Sequence, residues 1–153
     1  MNVGFDLDGT VLSQDLAILR MQNTADEKEK MIIMKFYCAH RSMNFNPLDF
    51  LAENDNLLFI TGRDKSVEAI TKKWASKYFP NAKIIVTKLD APTGNTKMIN
   101  WYLLQAEAKA KVINDNNVEV YFEDAPEIVD YLRKLCPNCK VIKYGGRLNT
   151  EQI

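Results

Sequence analysis

The sequence predicts an α/β fold built on an open, mainly parallel sheet with helices on both faces, and three observations carry that expectation. Short apolar runs rich in Val, Ile and Phe alternate with longer stretches whose apolar residues recur at helical spacing. The short runs are apolar almost throughout, as befits strands covered on both faces, not at every second position. At 153 residues, 46% hydrophobic and 26% charged, the chain has the size and balance of one globular domain.

Strands are expected near residues 3–6, 57–61, 83–87, 118–122 and 140–144. Between them, 64–78 places Val67, Ile70 and Trp74 on one helical stripe, 95–111 does so with Ile99, Leu103 and Ala106, and 126–135 with Ile128, Tyr131 and Leu135. Right-handed strand–helix–strand crossovers stack such units into a sheet whose ligand sites lie beyond the carboxyl ends of its strands. Residues 13–50 are too long for a single crossover helix and are expected to hold a small helical cap or insertion. Within it, 24–40 reads as helix, with Thr24 and Glu27 spaced as a capping box, and 47–53 as a second short helix. No repeat, low-complexity segment or Pro/Gly/Ser-rich linker divides the chain, so 1–153 reads as a single domain.

Twenty basic residues balance twenty acidic ones. The distribution is uneven, with local balances of −4 over 1–62, +5 over 63–97 and −1 over 98–153, so a polyanion would feel the middle segment most. The first apolar run is interrupted at once by Asp6 and Asp8, and no apolar stretch approaches the ~20 residues of a membrane span. Three cysteines, an odd number, argue for reduced thiols. A cytoplasmic protein with no membrane partner is the expectation.

The strongest chemical signal is Val3-Gly4-Phe5-Asp6-Leu7-Asp8-Gly9-Thr10. Two carboxylates two residues apart at the end of an apolar strand gather negative charge that is costly to bury without a cation, which implies bound Mg²⁺. A solvated Asp-Gly turn is the plain alternative for this run taken alone. Three more runs fall downstream: Leu58-Phe59-Ile60-Thr61-Gly62-Arg63, a strand ending in Thr; Lys97 at a helix start; and Tyr121-Phe122-Glu123-Asp124.

In this order the four runs resemble the motifs of the haloacid dehalogenase-like (HAD) phosphatases, and the likeness extends from residue 3 to about 130. It implies a Rossmann-like, HAD-like sheet and a Mg²⁺-dependent phosphomonoester hydrolase. By the resemblance, Asp6 is the nucleophile that forms an aspartyl-phosphate and Asp8 the general acid/base. Thr61 would hold the transferring phosphoryl group, and Lys97, with Lys88 in reserve, would balance the carboxylates. Asp6, the backbone carbonyl of Asp8, and Glu123 or Asp124 would hold Mg²⁺, while Gly62 and Arg63 would line the substrate. The residues alone leave alternatives: Arg63 on a helix surface, Asp124 as a helix N-cap, Thr10 as a turn residue.

Two rival readings come from the same residues. Cys38, His40, Cys136 and Cys139 have the ligand count of a Cys₃His zinc site, although the expected fold puts the last pair at the pole opposite Asp6. Receiver domains, which accept a phosphoryl group for signalling, use similar residue types, as would a catalytically silent relative serving as a binding module. The Asp6-x-Asp8 spacing favours the phosphatase. Its substrate is expected to be a phosphorylated small molecule or a nucleic-acid end, since the 61–63 and 123–124 runs look like those of polynucleotide 3′-phosphatases and small deoxynucleotidases.

Overall fold

The computed structural model describes residues 1–13, 26–39, 43–63, 65–87 and 98–144, without the side chains of 30, 34, 36–39, 98 and 99. Five strands, β1 (Asn2–Phe5), β2 (Asn56–Thr61), β3 (Lys83–Val86), β4 (Val120–Glu123) and β5 (Lys140–Lys143), form one sheet in the order β3-β2-β1-β4-β5. Every neighbouring pair is parallel. The helices are α1 (Glu27–Ala39), α2 (Glu68–Tyr78), α3 (Met98–Asp115) and α4 (Pro126–Leu135), with 3₁₀ turns at Pro47–Phe50 and Lys65–Val67.

Alternation along β2 shows how the sheet is covered. Leu57 and Phe59 face one side, where they meet Phe5, Trp74 and Phe79; Leu58 and Ile60 face the other, against Ala106, Ala110, Ile113, Ile128 and Leu132. Thus α2 covers one face, and α3 and α4 the other. The chain builds outward from β1 to β3, then crosses to add β4 and β5 on the far side. Such a reversal opens a crevice at the carboxyl ends of the strands flanking it, here β1 and β4. A receiver sheet runs 2-1-3-4-5, so the observed order removes the receiver reading.

Local chemistry moves several expected boundaries. Expected to begin at 118, β4 begins at Val120 because α3 runs on to Asp115. Asn117 then takes a left-handed φ of 49°, and the amides of Asn117 and Val118 bond back to the carbonyls of Asn114 and Ile113. That double closure ends the helix and redirects the chain. The stripe of α4 is also corrected: Ile128, Val129 and Leu132 are buried, Tyr131 is partly covered, and Leu135 is 40% exposed. Asp124 does not cap α4. Ala125 occupies the N-cap without a side-chain bond, and Pro126 supplies the first-turn residue that lacks an N–H.

The long connection after β1 leaves and returns at one place. Leu12 bridges Met43 antiparallel, and Asn44 sends its backbone N–H to the Val11 carbonyl and its side-chain amide to the Thr10 carbonyl. Its helix α1 packs on α2. The expected capping box at Thr24 lies outside the described residues. Among the described residues, no helix is long and apolar enough to cross a membrane.

Candidate active site

Asp6 follows β1 directly, and its amide bonds to the Phe122 carbonyl at 2.9 Å, so the carboxylate is set at the β1–β4 crevice. The chain then turns through Gly9, whose φ of 85° suits glycine. Thr61 ends β2, and the register Phe5↔Phe59 brings it to the same edge of the sheet as Asp6. Glu123 ends β4, and Asp124 follows it.

Lys109 stands at the centre. Its ammonium is buried on α3 and lies 3.0 Å from Asp6 Oδ1 and 2.6 Å from Glu123 Oε2. Glu123 is engaged at both oxygens: Oε2 meets Lys109 and lies 3.4 Å from the Tyr121 hydroxyl, while Oε1 accepts from the amides of Asp124 and Ala125. Carboxylate oxygens of Asp6, Glu123 and Asp124 lie within 4.8 Å of one another, and Thr10 Oγ1 is 3.4 Å from both Asp6 and Asp124.

The electrostatics follow from three acids around one ammonium. Burial, followed by the charge of Glu123, pushes the Asp6 carboxyl well above the usual range, and Lys109 only partly offsets them. Burial and then Glu123 raise Asp124 to about 7. Burial also penalises the Glu123 charge, yet Lys109 outweighs it and holds this carboxyl below its ordinary value. In turn, burial opposes the charge of Lys109, but Asp6 and Glu123 hold it firmly protonated. With all acids ionised the cluster carries two uncompensated negative charges, the amount one divalent cation balances. The donors are hard oxygens, the set that suits Mg²⁺.

Asp8 has a partner of its own beside this trio. Arg63 grips it with two bonds of 2.8 Å, from Nε to Oδ2 and from Nη2 to Oδ1, while Nη1 donates to Thr71 Oγ1 at 2.9 Å. The guanidinium is thus neither an open anion fork nor on a helix surface. Arg63 also donates its backbone N–H to Thr61 Oγ1 at 3.3 Å, and an accepting hydroxyl still has its own proton to donate. Gly62 lies against the Gln105 side chain: a Cβ there would come within 2.5 Å of Gln105 Oε1, the far end of a flexible side chain.

Of the residues singled out in the sequence, Asp6, Glu123 and Asp124 converge, Thr61 ends the adjoining strand, and Asp8 and Arg63 pair beside them. Lys97, Lys88 and His40 lie outside the described residues, as does the side chain of Cys38. Cys136 and Cys139 are free and buried, with thiols pushed by burial up to about 11 and about 12. Among the described residues, the acidic trio is the metal-compatible cluster. Lys109, Thr71 and Gln105 were missed by motif reading. Lys109 had a signal: it falls on the stripe of Ala106, Ala110 and Ile113, where a lysine has no reason to be unless it meets a charge.

No protein-family model matches the sequence, and no curated protein does. Solved structures do. A chain of the Pnkp1/Rnl/Hen1 RNA repair complex matches with a TM-score of 0.55 and 16% identity, covering 94% of this chain and 42% of that one. A candidate beta-phosphoglucomutase of Thermotoga maritima matches at 0.54 and 15%, covering 97% and 87%. A HAD-superfamily hydrolase of Geobacter sulfurreducens, subfamily IA, matches at 0.51 and 13%, covering 94% and 86%. The chain spans less than half the length of the RNA-repair chains it matches. These likenesses show a HAD-like α/β fold.

Proposed function

We propose that this chain, whose fold is HAD-like, is a Mg²⁺-dependent phosphomonoester hydrolase in which Asp6 is the nucleophile. The observation that carries this reading is the convergence of Asp6, Glu123 and the partly buried Asp124 beside Lys109, three acids facing one ammonium. Solvated turns do not bury carboxylates in this way, because burial without compensation is costly.

Asp6 and Asp124 would hold the cation, with the Asp8 carbonyl, because Glu123 already spends both oxygens on Lys109 and two backbone amides. A Mg²⁺ ion held there would supply shielding of the negative charge on nucleophile and phosphate. Asp6 Oδ attacks phosphorus, the bond to the leaving oxygen breaks, and Asp8 gives that oxygen a proton. In the second half Asp8 takes a proton from water, whose oxygen attacks phosphorus and frees Asp6. The Thr61 hydroxyl donates to the phosphoryl oxygens. Lys109 keeps Asp6 aimed and offsets its charge, the role the resemblance gave to Lys97, and its contacts to Asp6 and Glu123 favour it. The Arg63–Asp8 pair argues against a silent binding module, which has no use for an aimed second aspartate.

For substrate we propose a nucleotide or nucleic-acid end phosphate. Support comes from the RNA-repair complex among the structural neighbours and from the basic balance of 63–97. The test is a screen with Mg²⁺ over mononucleotides, 3′- and 5′-phosphorylated oligonucleotides and sugar phosphates. Phosphate release strongest on a nucleotide or oligonucleotide is expected. Release confined to sugar phosphates would overturn the substrate class, and no release from any of them the activity.

A further inference from the structure

We infer that Arg63, braced by Thr71, is the positioning residue that aims Asp8 for hydrolysis of the phosphoenzyme, and not a substrate-binding fork; this rests on the phosphatase reading above. Exposure decides between the two roles. The Arg63 side chain is 3% exposed and that of Asp8 26%, so anything entering the crevice meets the carboxylate while the guanidinium lies behind it. The geometry points the same way. Two parallel bonds of 2.8 Å fix the carboxylate plane, which one bond or a lysine would leave free to swing.

The third arm of the guanidinium is also tied down. Nη1 donates to Thr71 Oγ1, and that hydroxyl donates in turn to the Val67 carbonyl at 2.8 Å. Thr71 is fully buried on α2, so a bonded line runs from the turn after β1 to the body of that helix. An ionised carboxylate accepts at both oxygens, and Arg63 donates one N–H to each of them. In this state Asp8 is held as a base: it takes a proton from water, the water oxygen bonds to phosphorus, and the bond between phosphorus and Asp6 breaks, giving inorganic phosphate.

The experiment uses p-nitrophenyl phosphate with Mg²⁺, because its leaving group departs without a proton and the first half-reaction then needs no acid. Arg63→Lys keeps the charge but loses the fork. Thr71→Val keeps the shape but loses the brace, and so reports even if the first variant folds poorly. Slowed hydrolysis of the phosphoenzyme should lower kcat and KM together, by about 10²-fold for Arg63→Lys and less for Thr71→Val, with kcat/KM unchanged and phosphoenzyme accumulating after acid quench. A raised KM with lower kcat/KM and no accumulation would assign the guanidinium to substrate and overturn the inference. An unchanged kcat in both variants would overturn it too. Absence of p-nitrophenol release by the parent protein would instead overturn the phosphatase reading beneath it.

Discussion

Lys109 carries the largest electrostatic burden of any single residue in the site, since two buried carboxylates depend on it. Removing one partner of a buried ion pair leaves charge without compensation, so Lys109→Ala should cost about 3–5 kcal/mol of stability, measured by denaturant unfolding, and should abolish turnover. Unchanged stability would mean the carboxylates are protonated in the fold. Asp6→Asn works in the opposite direction. It removes a carboxyl whose ionisation burial and Glu123 oppose, so the fold should hold or gain in thermal stability while activity falls ~10³-fold or more; activity within a few-fold of the parent would take the nucleophile's role from Asp6.

Asp124 links the site to pH. Its folded value, about 7, lies above its ordinary 3.8, so the fold binds this proton more tightly than the unfolded chain does. The stabilisation from that proton is complete at low pH and lost as pH rises through about 7. A cation at the cluster competes with the same proton. Mg²⁺ should therefore raise the Tm more at pH 8 than at pH 6, in thermal scans against EDTA controls. An equal or smaller shift at pH 8 would place the cation elsewhere.

At the scale of elements, α4 gives the cleanest contrast. Leu132 is fully buried between the sheet and α3, whereas Leu135, one turn on, faces solvent. Leu132→Ala should cost about 2–5 kcal/mol and Leu135→Ala about 0.5 kcal/mol or less, both read by denaturant unfolding; equal losses would restore the stripe expected from the sequence. That stripe shows where periodicity fails. Tyr131 and Leu135 share helical spacing with Ile128, but so does Leu132, and only the way α4 lies on α3 decides which row is covered. The strands were easier to read. Runs such as Leu58–Ile60 are apolar on both faces and have few other places to go.

Over the whole molecule, sequence and structure agree best where chemistry is local. Asp6, Glu123 and Asp124 each sit at a strand end, and strand ends are legible as the close of an apolar run. Lys109 comes from the middle of α3 and reaches the site only when that helix is laid across the sheet, which no local pattern states. Arg63 was visible as a residue of interest, but its grip on Asp8 depends on a separation of 55 residues.

Substrate class also belongs to this scale. If an oligonucleotide is the substrate, its backbone should meet the exposed basic residues of 63–97, among them Lys65 and Lys73. Binding should then weaken with salt by a slope of roughly −0.7 per phosphate contacted, and Lys65→Ala should flatten that slope without affecting a mononucleotide. Equal salt dependence for both substrates would make the basic segment a solvated surface.

The central claim is that Asp6 accepts a phosphoryl group from substrate, and the most direct measurement is to look for it there. The protein is mixed with a phosphomonoester and Mg²⁺, quenched in acid within the turnover time, digested and mapped by mass spectrometry. The account predicts one phosphoryl group on the peptide that contains Asp6, gained in Asp8→Asn to a greater extent than in the parent, and missing in Asp6→Asn and in EDTA. Turnover by the parent with Asp6 unmodified at every quench time, or persisting in Asp6→Asn, would contradict it.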